Sequence, residues 1–235
     1  MAIVFSPHLD DAVLSAATRL MRGSAQVVNV FAGAPPPRVE MMAWERLTRA
    51  HSSAERHRER LAEDREAMTL LSCCAVYLDL PEKEHRERDI GDLCDRLRPF
   101  VASAREIWVP AAIGGHPDHV ATRDAVLAAH AGGDGEVVFY ADLPYAVRYG
   151  WPSWAIRTAA PRFLAPDAWL NGELTRRGLD PALLTPSVVT LDGDLRARKE
   201  RAVRAYRTQL AALGLGPDQR DNWKTFLGHE LAWRM

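Results

Sequence analysis

Two short clusters of polar residues could do chemistry in this chain. The first is His8, Asp10 and Asp11, in the run Ser6-Pro7-His8-Leu9-Asp10-Asp11. The second is His116, Asp118 and His119, in His116-Pro117-Asp118-His119. Two or three imidazoles with a carboxylate suit a catalytic metal ion that keeps one coordination position open. The carboxylates left over, Asp10 and Asp118, suit proton transfer or the orientation of a ligand. Taken singly, each residue has a plainer reading: a loop histidine, an aspartate capping a helix, a turn. Together, in similar settings, they point to a site.

The setting is a strand, a loop and a helix. Ala2–Phe5 is a short apolar run, and Val13, Leu14, Ala17 and Leu20 follow the first cluster at helical spacing. Glu106–Ala111 reads as a strand before the second cluster, with a helix running on to about His130. Between them come strands over Gln26–Phe31 and Cys74–Leu80 and helical patterns over Met41–Leu71 and Ile90–Ala104; Val137–Tyr140 is a fifth strand. This alternation predicts an α/β fold: a Rossmann-like, doubly wound, mostly parallel sheet with helices on both faces. Sites in such sheets form in loops at the carboxyl ends of strands, where both clusters fall. Residues 144–185, rich in Pro, Trp and Tyr, read as an irregular cap, followed by a strand over Ser187–Leu191 and a helix over Arg196–Leu213. No composition shift marks a boundary, so 1–235 reads as one domain, with the chemical motifs in 1–145 and cap and C-terminal elements in 146–235.

The bulk composition excludes several classes. Among 235 residues, 47% hydrophobic and 26% charged, the formal net charge is −1, which asks for no nucleic acid or anionic membrane as partner. No apolar stretch approaches the roughly 20 residues of a membrane span, and the start lacks the pattern of a secretory signal. Three cysteines, two of them adjacent, make a poor disulfide framework, so free thiols in a reducing cytoplasm are expected. No Gly-rich phosphate loop follows the first strand.

Ser6–Asp11 resembles the first motif (PHPDD) of the LmbE/PIG-L family of N-acetylglucosaminyl deacetylases, and His116–His119 is similar to the second. Arg60–Leu71 and Tyr140–Tyr145 are similar to further family segments, and beyond about residue 145 the likeness is thin. The resemblance implies a zinc-dependent deacetylase with His8, Asp11 and His119 as metal ligands, Fe²⁺ being the alternative ion. It implies Asp10 as general base, His116 as oxyanion donor or acid, and Asp118 as the group that orients a histidine. The implied substrate is a small molecule carrying an N-acyl, above all N-acetyl, amide on an amino sugar or glycoside. Two departures stand out: Leu9 replaces the motif's usual Pro, and Ala12 replaces an acidic residue that often follows the Asp pair.

Other functions compete. The same ligands would serve a non-haem iron enzyme, an amidase could act on another amide such as a thiol conjugate, and a relict site would leave a binding protein. An Asp-nucleophile phosphatase would want a DxD pattern and a later lysine, and the chain has only three lysines. Arg60, in the helix shared with the family, and Asp79, just after the third strand, are candidates for substrate binding; an ion pair to Glu63 or Asp64 is the plainer role for Arg60. His51, His57, His85 and His130 read as solvated surface residues, His229 as structural, and Trp151 and Trp154 as core or as a platform for a sugar. The oligomeric state is left open, a homo-oligomer included.

Overall fold

A computed structural model describes residues 1–37, 39–86, 90–143, 145–146, 171–216, 223–224 and 227–235. Its centre is a seven-stranded sheet with the order β3-β2-β1-β4-β5-β7-β6. The strands are β1 (Ala2–Ser6), β2 (Ala25–Asn29), β3 (Cys74–Tyr77), β4 (Glu106–Pro110), β5 (Glu136–Tyr140), β6 (Thr185–Thr190) and β7 (His229–Arg234). β1 to β5 run parallel, while β7 pairs antiparallel with both β5 and β6. Every residue of β1 is buried, as expected for a central parallel strand that reads as a continuous apolar run.

Among the described residues the α-helices are α1 (Asp11–Met21), α2 (Ala43–Leu47), α3 (Ser53–Leu71), α4 (Leu93–Ser103), α5 (Pro117–His130), α6 (Asn171–Arg176) and α7 (Gly193–Arg204). α1, α3 and α7 pack together, and α4 packs on α5. The strand order runs one way from β1 to β3 and the other way through β4 to β5. Right-handed crossovers therefore put the two helix groups on opposite faces. The reversal lies between β1 and β4, and a crevice opens at the carboxyl end of a sheet at such a switch point.

Three sequence expectations need correction. The helical pattern over Met41–Leu71 is two helices, because Arg49 turns left-handed (φ 59°) and the Ser52 side chain caps a new helix by accepting the Glu55 N–H. The helix expected over Arg196–Leu213 ends at Arg204, where tertiary bonds take over: Glu63 accepts both the N–H and the hydroxyl of Thr208. The closing strand β7 went unread. It is anchored by Glu230, which accepts from Lys199 Nζ at 2.8 Å and from the Thr18 N–H at 3.0 Å in the buried layer between α1 and α7. Most of the expected cap, with Trp151 and Trp154, lies outside the described residues; within the rest, α6 is regular helix.

Candidate metal centre and active site

The switch point brings the two clusters together. The loop after β1 carries His8, Asp10 and Asp11 into α1, and the loop after β4 carries His116, Asp118 and His119 into α5. The ring centroids of His8, His116 and His119 lie 4.9–5.3 Å apart in pairs. One nitrogen of each falls within 4.8 Å of the others. The second loop favours glycine, because Gly115 has φ +72°, a backbone conformation that residues with a Cβ rarely adopt.

Local bonds fix which atom of each residue faces the centre. His119 is fully buried, and its Nδ1 lies 2.6 Å from Asp142 Oδ1. Nδ1 is engaged by Asp142, so Nε2 is the ring nitrogen that faces the centre, 3.2 Å from Asp11 Oδ2. His8 Nε2 lies 3.0 Å from Asp118 Oδ2, and its Nδ1 lies 3.3 Å from the same Asp11 oxygen. That oxygen also accepts the His8 backbone N–H at 2.9 Å. Asp10 occupies the N-cap position of α1, yet its side chain makes no capping bond and lines the cavity instead. His116 Nδ1 accepts the Asp118 N–H, so its Nε2 carries the proton, 3.4 Å from Glu84.

The site is rich in negative charge. Burial drives the His119 imidazole down, but Asp11 and Asp142 outweigh it and hold it at about 9. Burial likewise opposes protonation of His8, and the bonds to Asp11 and Asp118 overcome it. Asp11, pushed up by burial, is nevertheless pulled well below the usual range, chiefly by His119. Burial and the neighbouring charge of Asp11 raise the Asp10 carboxyl. The Asp118 carboxyl, also opposed by burial, is held at about 2 by His8, the Lys83 N–H and Arg86. Hydrogen bonding to His116 brings Glu84 down to about 2.

A cavity of about 270 Å³ opens over this floor. Its walls include Trp44, Arg60, Glu84 and Tyr145, with Gln209 and Leu213 from the C-terminal part. Arg60 pairs with Glu82 rather than with Glu63 or Asp64, whose oxygens are taken by Thr208 and by Tyr206, Tyr77 and Asn29. The 81–86 segment supplies more: Arg86 Nη2 reaches Asp118 at 2.6 Å and stacks over Phe31.

Asp79 is not brought to the cavity. The backbone of Asp79 and Leu80 packs flat on Gly33, leaving the Asp79 side chain exposed. His85 is a second correction, since its side chain is 6% exposed and lies against Glu45 rather than in solvent. Ala12 is fully buried beneath the loop, its N–H donating to Ser6 Oγ. Sequence reasoning missed Asp142, which bonds both His119 and the Ile113 N–H, and Tyr145, whose ring centroid lies 5.2 Å from that of His119. Both fall in the loop after β5, and that position at a carboxyl strand end was the available signal.

A doubly wound α/β sheet with a buried histidine–carboxylate cluster at its switch point is the setting of a metal-assisted enzyme site. The chain belongs to the PIG-L family, whose GlcNAc-PI de-N-acetylase model matches residues 3–130. Among solved structures, the A40926 pseudoaglycone deacetylase Dbv21 is similar, with 27% identity, 99% of this chain and 95% of that chain covered and a TM-score of 0.73. A triple mutant of the deacetylase Orf2 of the teicoplanin pathway shares the fold at 24% identity, with 99% and 96% covered and a TM-score of 0.74. N,N'-diacetylchitobiose deacetylase from Pyrococcus horikoshii shares it more distantly, at 17% identity, with 100% and 83% covered and a TM-score of 0.57. A comparison with curated proteins gives no match.

Proposed function

We propose that this PIG-L family deacetylase hydrolyses the N-acetyl amide of an amino sugar borne by a glycosylated small molecule, with one zinc ion held by His8 Nδ1, Asp11 Oδ2 and His119 Nε2. The observation that carries this reading is the convergence of the buried His119 Nε2 and of His8 Nδ1 on one Asp11 oxygen. On losing their protons the two nitrogens offer lone pairs beside a carboxylate, a donor set that fits a cation. His116 could complete a trio of imidazoles, but its Nδ1 accepts the Asp118 N–H, so its Nε2 carries a hydrogen and is a donor rather than a ligand. When bound, zinc supplies Lewis acidity toward the acyl oxygen and lowers the pKa of water toward about 7.

The chain's own residues do the rest. Asp10 lies beside the ligand pair with a carboxyl raised above the usual range, which makes it a stronger base. It takes the proton of the attacking water and returns it to the leaving amine. The Nε2–H of His116, beside Glu84 on the cavity wall, turns to the acyl oxygen as charge develops there, a role typically worth about 3 kcal/mol. Asp118 and Asp142 hold His8 and His119 in the tautomers the ligands need. Arg60, on the wall, donates to substrate hydroxyls.

The test is acetate release from N-acetylglucosamine and its glycosides, with metal content measured by mass spectrometry. About one zinc per chain and acetate release that chelation abolishes are expected. Iron in place of zinc would redirect the reading to another reaction class, and turnover that survives full metal removal would overturn it.

Two further results are expected. Metal affinity should rise with pH between 6 and 8, because the metal must displace the protons that His119, at about 9, and His8 hold in the metal-free chain. Each displaced proton contributes about tenfold per pH unit, so chelator competition should give a slope between one and two; a flat profile would contradict the ligand set. Asp142→Asn should weaken metal binding by roughly 10–100-fold. An amide oxygen cannot replace the charge, nor accept both the Ile113 N–H and the His119 N–H as two carboxylate oxygens do. Unchanged affinity in that variant would show that Asp142 has no part in orienting the ligand.

A further inference from the structure

The loop that carries His8, Asp10 and Asp11 is a stretch of irregular backbone buried in the core, so each of its carbonyls needs a partner. The Ser6 and Pro7 carbonyls accept the Val30 and Phe31 N–H groups at 2.8 and 2.9 Å. The His8 carbonyl accepts Ser6 Oγ at 2.6 Å, and the Asp10 carbonyl accepts the Leu14 N–H at 3.0 Å. These four partners come from the first 31 residues. The Leu9 carbonyl, midway between the ligand His8 and the base Asp10, is served differently. Its partner is the Tyr206 hydroxyl at 3.1 Å, 197 positions away in sequence.

Tyr206 is fully buried and does not line the cavity. Its hydroxyl also lies 2.7 Å from Asp64 Oδ1 on α3, so one phenolic proton is shared between the two acceptors. Asp64 is pinned in turn, its other oxygen accepting from Tyr77 at 2.8 Å and from Asn29 Nδ2 at 3.1 Å. Just beyond Tyr206, Thr208 is clamped to Glu63 of α3. The phenol thus has no freedom to leave Leu9. Leu9 also stands where the resembling motif carries proline, which would fix φ near −65° and stiffen the loop by itself.

We infer that Tyr206, braced by Asp64, is a positioning residue that holds the Leu9 peptide and so aims His8 and Asp10, supplying from the C-terminal part the rigidity that a leucine lacks. Its catalytic consequence rests on the deacetylase reading above; its structural part does not. In Tyr206→Phe, amide hydrogen exchange should quicken at residues 8–12 while β2, β4 and β5 keep their protection. Turnover should fall by roughly 10–100-fold, the range for groups that orient catalytic residues, with KM nearly unchanged because Tyr206 does not line the cavity. Adding Leu9→Pro to that variant should restore much of both, since no hydrogen bond from the Leu9 N–H is formed among the described residues and the ring removes none. A second variant, Asp64→Asn, leaves an oxygen for Tyr77 and Asn29 but turns an amide N–H donor, in place of the acceptor, toward the Tyr206 oxygen, which frees the phenolic proton for Leu9, so the loop should exchange no faster than in the parent.

Unchanged loop exchange in Tyr206→Phe, or faster exchange in Asp64→Asn, would overturn the strut. Faster exchange with unaltered turnover, or failure of Leu9→Pro to restore either readout, would overturn the positioning role. A parent enzyme that releases no acetate would defeat the deacetylase reading instead, and the exchange data would still decide whether Tyr206 holds the loop.

Discussion

Asp10→Asn should lower acetate release by roughly 10²–10⁴-fold, the usual worth of a general base, while the purified chain keeps the metal content of the parent. The two halves of this result separate adjacent aspartates that the sequence alone cannot tell apart. Asp11 faces inward, with one oxygen close to His8 Nδ1, His119 Nε2 and the His8 N–H. Asp10 makes no capping bond, lines the cavity and carries a raised carboxyl, the state of a group poised to take a proton. Asn is nearly isosteric and keeps the hydrogen-bonding shape, so the loss measures proton transfer more than packing. Asp11→Asn should do the opposite in one respect and lose metal as well as turnover. Full turnover in Asp10→Asn would remove Asp10 as base and move the search to Glu82 and Glu84, the further carboxyls on the cavity wall.

Much of this site was legible because its residues sit in two short segments at strand ends, where periodicity and turn chemistry are clear. The parallel run of β1 to β5 follows from the repeated strand–helix alternation, whereas the strand order that puts the switch point between β1 and β4 is visible only in the structure. What the sequence hid is whatever depends on distant partners. Asp142 looks like one more loop aspartate until β5 sets it against His119. Tyr206 reads as part of a charged helix until Glu63 and Asp64 stop that helix and turn its tyrosine inward. Asp79 erred the other way: its place after β3 promised the site, but the close approach to Gly33 sends it to solvent. β7 was missed because an antiparallel strand inserted between β5 and β6 has no counterpart in the alternation that revealed the others.

His119→Ala should take the metal content from about one ion per chain to near zero and abolish measurable turnover, with a loss of affinity well beyond the roughly 100-fold that an orienting partner costs. The residue lies fully buried at the point where both motifs meet, so its removal has two effects. It deletes a donor, and it leaves Asp142 as a buried carboxylate without its imidazole partner and Asp11 without the group that most lowers its pKa. An unpaired buried charge costs several kcal/mol, so Asp142 and Asp11 should take up protons near neutral pH and the variant should lose stability as pH rises. That gives a control for the metal claim. The double variant His119→Ala/Asp142→Ala should recover stability but not metal. If it recovers metal as well, the ion is held by His8 and His116 with Asp11, the donor set would have to be redrawn around His116, and that residue could no longer be the one that steadies the acyl oxygen.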